Sequence, residues 1–350
     1  MRALSVVPLT AGTAALTEHP DPVAGPDELL VDGLALGICG TDREIVAGDY
    51  GAPPPGEERL ILGHESLGRV REAPRGSGFA PGDLVVGVVR RPDPVPCAAC
   101  AVGSFDMCRN GRYTERGIKE LHGYGSEAWT VEVSYAVKLD PALATVGMLM
   151  EPTTIVAKVW DRIDRIAAIM PHAPHSVLVT GAGPIGALAA LLGVQRGLDV
   201  HVLDQAVDGP KPELVEALGA TYHCEGLAAF ERTEGRPDVL VEATGADPVI
   251  LEALSATATN GILCLTGVTA AGRTAEIDAG AVNREIVLEN DVVLGSVNAN
   301  LDHYRQAAEA LASADRGWLE RLVTRRVGLE DFADALQPRE GDVKVVLELS

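Results

Sequence analysis

Ser176-Val-Leu-Val-Thr180 runs straight into Gly181-Ala-Gly183-Pro-Ile-Gly186, and the reading of this stretch decides the fold. A lone glycine fingerprint is weak evidence. Here its surroundings strengthen it: an apolar strand precedes, an apolar helix Ala187–Gln195 follows, and a second strand ends at Asp204. In such a turn the first glycine permits the bend and the second lets the backbone approach a pyrophosphate. The third lets the helix pack on the strand, with the phosphates at the positive helix end. Gly181, Gly183, Pro184, Ile185 and Gly186 are therefore candidates for cofactor binding. Asp204 stands where a carboxylate accepts hydrogen bonds from ribose hydroxyls and repels a 2′-phosphate. With Gln205 beside it instead of an arginine, NAD is expected over NADP.

Outward from that stretch, apolar runs at Asp199–Leu203, Val239–Glu242, Gly261–Thr266 and Val292–Ser296 alternate with helical segments. The alternation predicts a parallel, doubly wound α/β sheet of Rossmann type. The turns Glu242-Ala-Thr244-Gly245 and Leu265-Thr266-Gly267-Val268 follow strands of that sheet, which makes Thr244, Gly267 and Val268 further cofactor candidates. Upstream, short β-like runs at Glu28–Val31, Ser66–Val70, Leu84–Val88 and Trp129–Val133 are separated by turn residues and read as a β-barrel module. Helical spacing from Ala157 to Met170 marks the change of pattern. Beyond Asn300 the spacing predicts an amphipathic helix at Tyr304–Ala312, a helical stretch near Leu329–Leu336 and a last strand, Val343–Leu349. This tail is expected to rejoin the first domain, giving domains of 1–155 with 300–350, and 156–299.

At 350 residues the chain has room for two cores. Its net charge of −21 repels phosphate backbones and anionic lipid, so no nucleic-acid or membrane partner is expected. The longest apolar run, Ile185 to Val194, is about half what a bilayer span needs, and residues 1–20 carry no signal-peptide core. A cytoplasmic protein is expected. Three of the six cysteines fall between Cys97 and Cys108, a spacing that suits metal ligands in a reducing compartment better than disulfides.

Cys39, His64 and Glu151 each have a bland reading alone, as core, satisfied and solvated residues. Together they are a soft thiolate, an imidazole and a carboxylate, the mix with which a catalytic zinc is held while one position stays open.

The strings Gly37-Ile-Cys-Gly-Thr-Asp-Arg-Glu-Ile45 and Gly111-Arg-Tyr-Thr-Glu-Arg-Gly-Ile118, with His122-Gly-Tyr124 and Ser126-Glu127, resemble the zinc-containing medium-chain dehydrogenase/reductases. So do Asn283-Arg-Glu-Ile286 and Gly295-Ser-Val-Asn298, and the likeness is closest to the glucose 1-dehydrogenase branch. The resemblance covers essentially the whole chain and implies a GroES-like β-barrel carrying zinc, followed by a Rossmann domain. It implies that Cys39 and His64 bind catalytic zinc, with Glu65 and Glu151 ligating directly or through water. It further implies that Thr41 passes the substrate proton outward, that Glu115 and Asn298 contact sugar hydroxyls with Asn300 lining the cleft, and that Ser296 and Asn298 border the cofactor. A structural zinc lobe in this family takes four cysteines. Here the first falls at Pro94, leaving Cys97, Cys100 and Cys108 with Asp93 as a replacement ligand, or a lobe that folds without metal.

The expected activity is hydride transfer from a secondary or anomeric hydroxyl of a sugar-like polyol to NAD, as in an aldose 1-dehydrogenase. A cyclitol or aminocyclitol substrate and a non-catalytic nucleotide-binding protein are the alternatives. Ile155 stands where glucose dehydrogenases place a polar residue, which favours the cyclitol. A homo-oligomer, a dimer or tetramer, is implied by the resemblance.

Overall fold

The structure is a computed structural model describing residues 1–269 and 274–350. It divides into two compact units, Met1–Thr154 with Asn298–Ser350, and Ile155–Val297. The helix Met150–Ala167 carries the chain from one to the other. It begins about two turns before the expected Ala157, because Pro152 in the first turn loses no hydrogen bond there.

The first unit is built on the long strand Glu28–Ile38, whose Leu29, Val31, Leu36 and Ile38 pack into a buried cluster with Leu4, Ile45, Leu62, Val85, Tyr124, Trp129 and Leu347. A seven-stranded sheet runs in the order Ala136–Lys138, Leu84–Gly87, Glu65–Glu72, Glu28–Ile38, Lys344–Glu348, Val323–Gly328, with Ala128–Glu132 also paired to Glu28–Ile38. Two strands from the end of the chain therefore extend a sheet begun near its start, with Val345 opposite Ile38. Helix Arg316–Leu322 and strand Val323–Gly328 were not foreseen from the sequence. The polar run Thr324-Arg-Arg326 hides the strand from an apolar alternation test.

The second unit is a six-stranded, wholly parallel sheet. Its order is Thr221–His223, Asp199–Leu203, Ser176–Thr180, Val239–Glu242, Ile262–Leu265, Val292–Gly295. Ser176–Thr180 is the strand from which the order departs in both directions, and ligands of such sheets bind at the carboxyl ends of the strands beside that point. Helix Pro184–Gln195 is buried from Gly186 to Gly193, which is why it is apolar on every face. Thr221–His223, at three residues, is too short to show a period, and the sequence did not indicate it. Among the described residues no helix is long and apolar enough to cross a membrane.

Two buried histidines join edge strand Thr221–His223 to its neighbour Asp199–Leu203. His201 Nδ1 lies 2.9 Å from His223 Nε2, and Phe230 meets both rings edge-on. Burial and the neighbouring His201 hold the His223 pKa below its ordinary value, against Glu234 and Glu225. In the unfolded chain His223 titrates normally, so its contribution to stability is present above about pH 6.5 and is lost as pH falls toward the depressed folded value. Thermal unfolding of His223→Gln between about pH 7.5 and about pH 5.5 is therefore expected to lose less midpoint temperature than the wild type. Equal losses would clear the pair of this role.

Candidate active site

Helix Gly40–Ala47 follows strand Glu28–Ile38, and Cys39 is its N-cap. The Cys39 sulfur accepts from Thr41 N–H at 3.3 Å, and Asp42 Oδ2 accepts from Cys39 N–H at 2.9 Å, so the cysteine is clamped from both sides. His64 is buried at the entrance to strand Glu65–Glu72, and its Nε2 lies 3.1 Å from Cys39 Sγ. On its other side, Nδ1 faces Asp42 Oδ1 at 3.5 Å. A buried carboxylate behind an imidazole fixes ring orientation and raises its basicity as a ligand. Asp42 thus has a role that the sequence reading did not assign.

Ligand atoms of Cys39, His64 and Glu65 all lie within 4.8 Å of one another. One ion with bonds of about 2.0–2.3 Å reaches donors so placed. The electrostatics agree: burial opposes a charged His64, yet Cys39, Asp42 and Glu151 together raise its pKa well above the usual histidine range. Burial, together with the Glu65 and Asp42 charges, pushes Glu151 up to about 7, against the pull of His64. The cluster concentrates negative charge that a cation relieves, and its donor set is that of a zinc site. Glu65 is additionally in contact with the Lys344 ammonium.

Glu115 and Asn298 come together. With the Asn298 amide oriented to satisfy both neighbours, its nitrogen donates to Glu115 Oε1 at 3.0 Å and its oxygen accepts from Arg90 at 2.5 Å. Arg90 also donates to Glu115 at 2.9 and 3.1 Å and stacks on Tyr113 with 3.6 Å to the ring centroid. Arg90 was not foreseen. Asn300 caps helix Leu301–Ser313, its Oδ1 accepting from Asp302 and His303 N–H. Its carbonyl oxygen is therefore committed to the helix end.

In the cysteine lobe, Cys97, Cys100 and Cys108 converge, with 3.7 Å between the first two sulfurs. The Arg109 N–H lowers the Cys97 thiol to about 6, while burial raises Cys100. Asp93 does not join them. Its carboxylate accepts from Val95 N–H at 2.8 Å, Asn110 at 2.9 Å and Arg112 at 3.3 Å, which holds it away from the sulfurs.

In the second unit the glycine turn has the required shape. Gly181 takes a φ of +90°, and a side chain on Gly186 would collide with the Gly181 carbonyl oxygen. Gly183 caps helix Pro184–Gln195 with open space around it, the cradle a pyrophosphate needs. Asp204 Oδ2 accepts from Ala182 N–H at 2.7 Å, tying the carboxylate to the turn. Burial opposes its charge, but this bond and Lys211 Nζ, 3.0 Å from both oxygens, keep its pKa low. Across the sheet, the fully buried Glu242 accepts from Thr244 N–H at 2.7 Å and Gly245 N–H at 3.1 Å, which shapes the Thr244 turn. Gly267 N–H bonds to the Glu242 carbonyl at 3.1 Å, and Val268 beyond it is exposed. Among the described residues the buried Ser296 hydroxyl meets no hydrogen-bond partner.

A Cys–His–carboxylate cluster on a β unit, in one chain with a glycine-turn nucleotide unit, defines an alcohol-dehydrogenase type of oxidoreductase. The family described as Alcohol dehydrogenase GroES-like domain matches residues 25–141, and Glucose dehydrogenase C-terminus matches 144–349. Glucose 1-dehydrogenases of Methanocella arvoryzae and Thermoproteus tenax are 38% and 37% identical, over 100% of this chain and 99% of each relative. The solved glucose dehydrogenase of Haloferax mediterranei, in complex with NADP, Zn and gluconolactone, superposes with a TM-score of 0.91 at 32% identity, covering 100% of this chain and 99% of that one. The chain belongs to the glucose dehydrogenase family of zinc-containing medium-chain dehydrogenase/reductases.

Proposed function

We propose that the protein is a zinc-dependent, NAD(P)-linked dehydrogenase that oxidises a hydroxyl of a sugar-like polyol, with the anomeric carbon of glucose or another aldose as its first target. The observation that carries this reading is the pair of half-buried Cys39 and buried His64, 3.1 Å apart and ringed by Asp42, Glu65 and Glu151. Cys39 and His64 hold the zinc, Asp42 sets the imidazole, and Glu65 and Glu151 balance charge beside it. When bound, zinc supplies Lewis acidity, which lowers a water pKa from about 15.7 to about 7. The Thr41 hydroxyl, two residues from Cys39, takes the substrate proton outward. Glu115 and Asn298, preset by Arg90, grip neighbouring hydroxyls of the sugar. The turn from Gly181 to Gly186 would cradle the dinucleotide, whose nicotinamide would supply the hydride acceptor. Asp204 favours NAD, while Lys211 gives NADP a foothold.

The same reading places the protein in the cytoplasm, where its six free cysteines stay reduced. It also makes the protein a homo-oligomer paired through edge strand Val292–Gly295, around which Val287, Leu288, Val293 and Val297 are exposed. Ile155, apolar and one helical turn beyond Glu151, keeps a cyclitol in view as a second substrate.

Initial rates of NAD and NADP reduction across aldoses and cyclitols test the proposal. Glucose or galactose is expected to turn over fastest, with the lactone product trapped by hydroxylamine. Inert aldoses beside a reactive cyclitol would move the substrate assignment, and no reduction at all would defeat it.

A further inference from the structure

The lobe from Asp93 to Arg112 is where the family resemblance implies a structural zinc, and its residues do not fit one. Such a zinc is closed by four protein ligands. Pro94 stands at the first cysteine position, and among the described residues no fourth donor joins Cys97, Cys100 and Cys108. The nearest replacement, the buried Asp93 carboxylate, is already committed to Val95 N–H, the Asn110 amide and Arg112.

Those bonds perform the task of a metal. Asp93 and Val95 begin the lobe and Asn110 and Arg112 end it, so one carboxylate ties its two ends together. The Asn110 amide also donates to the Val95 carbonyl at 3.1 Å. Inside the lobe, Ala101 N–H and Ser104 N–H close turns on the Cys97 and Ala99 carbonyls at 2.9 and 3.0 Å. Hydrogen bonds therefore staple the lobe, and its thiols are left over for other chemistry.

Cys97 and Cys100 are the two ends of a Cys-x-x-Cys turn, with their sulfurs 3.7 Å apart. Each is only half-buried, so a small oxidant can reach them. Cys97 Sγ accepts from Arg109 N–H at 3.4 Å, which fixes it beside its neighbour. An accessible sulfur with a second one poised next to it is the arrangement of a reversible thiol pair.

We propose that Cys97 and Cys100 form a thiol–disulfide site, a dithiol at rest that hydrogen peroxide oxidises. The Cys97 sulfur attacks one peroxide oxygen, the O–O bond breaks, and a water leaves as Cys97 becomes a sulfenic acid. The Cys100 sulfur then attacks the Cys97 sulfur. The S–O bond breaks, and the oxygen departs as a second water with the Cys100 proton. Two thiols lose two electrons in all, and one peroxide is reduced to two waters. A dithiol reductant reverses the change by exchange.

Peptide mapping of the peroxide-treated holoprotein tests the site. Trypsin releases residues 91–109 as one peptide, because Pro92 protects Arg91, and it carries these three cysteines and no other. In untreated protein iodoacetamide labels all three. After hydrogen peroxide it labels only Cys108, the peptide has lost two hydrogens, and dithiothreitol restores three labels. Cys108→Ser keeps the disulfide. In Cys100→Ser, Cys97 stops at the sulfenic acid, which dimedone captures. Three labelled thiols after peroxide, a disulfide to Cys108, or irreversible oxygen addition at Cys97 overturns the proposal, and Cys108→Ser carries the test if Cys100→Ser does not fold. Metal analysis is a second arm. Zinc bound by the wild type and wholly lost in Cys39→Ser supports a lobe without metal, whereas zinc that Cys39→Ser retains and Cys97→Ser releases overturns it.

Discussion

Cys39→Ser is expected to lose one equivalent of zinc per chain and at least about a thousandfold in kcat/KM. The size follows from the proton. Bringing a hydroxyl from a pKa of about 15.7 to about 7 is on the order of 12 kcal/mol at 1.36 per unit, and no side chain in the cluster replaces that. Serine keeps the N-cap acceptor for Thr41 N–H, so helix Gly40–Ala47 should survive and the loss should lie in metal binding. Metal analysis beside steady-state kinetics checks it. A Cys39→Ser protein with full zinc and wild-type turnover would remove Cys39 from the ligand set.

Asp204→Ala is expected to shift the NADP-to-NAD preference, as a ratio of kcat/KM values, by about a hundredfold toward NADP. Two effects act in one direction. The substitution removes a carboxylate that repels a 2′-phosphate, and it frees Lys211, now 3.0 Å from both Asp204 oxygens, to meet one. At about 1.4 kcal/mol per decade the pair supplies roughly 3 kcal/mol, within the several kcal/mol of a like-charge contact. Because Asp204 also accepts from Ala182 N–H, the variant loosens the glycine turn for both cofactors, which is why the ratio is the quantity to measure. Lys211→Ala should move the ratio the other way. If both variants leave it unchanged, the discrimination lies elsewhere.

What the sequence disclosed divides by range of interaction. The Ser176–Gly186 turn was legible because strand, glycines and helix lie within a dozen residues, and local backbone chemistry dictates them. Cys39, His64 and Glu151 are far apart, and family resemblance brought them together where spacing could not. Asp42 sat in plain view inside a quoted string; the signal was its position three residues after Cys39, where an acid closes a capping box. Arg90 and Lys344 were missed for a common reason. Charges in short strands read as solvent-facing, and only the fold shows them buried against Glu115 and Glu65. The cap role of Asn300 was legible but not read, since an Asn just ahead of a helical period is first of all a cap. Asp93 was placed near the cysteines by sequence distance, but the Val95 N–H and the Asn110 amide turn its carboxylate elsewhere.

The addition of Val323–Gly328 and Lys344–Glu348 to the edge of Glu28–Ile38 sets an order of events on the ribosome. Synthesis is vectorial, so the first unit must wait, its sheet unfinished, while the whole second unit is made. Through that interval the Ala35–Ile38 end of one side, which Ala128–Glu132 does not cover, offers open backbone donors and acceptors, a template for pairing with another nascent chain. The Lys344 ammonium, buried against Glu65, arrives with the strand that closes this edge. A chain cut short after the nucleotide unit is therefore left with an aggregation-prone edge and with Glu65 deprived of its ammonium partner.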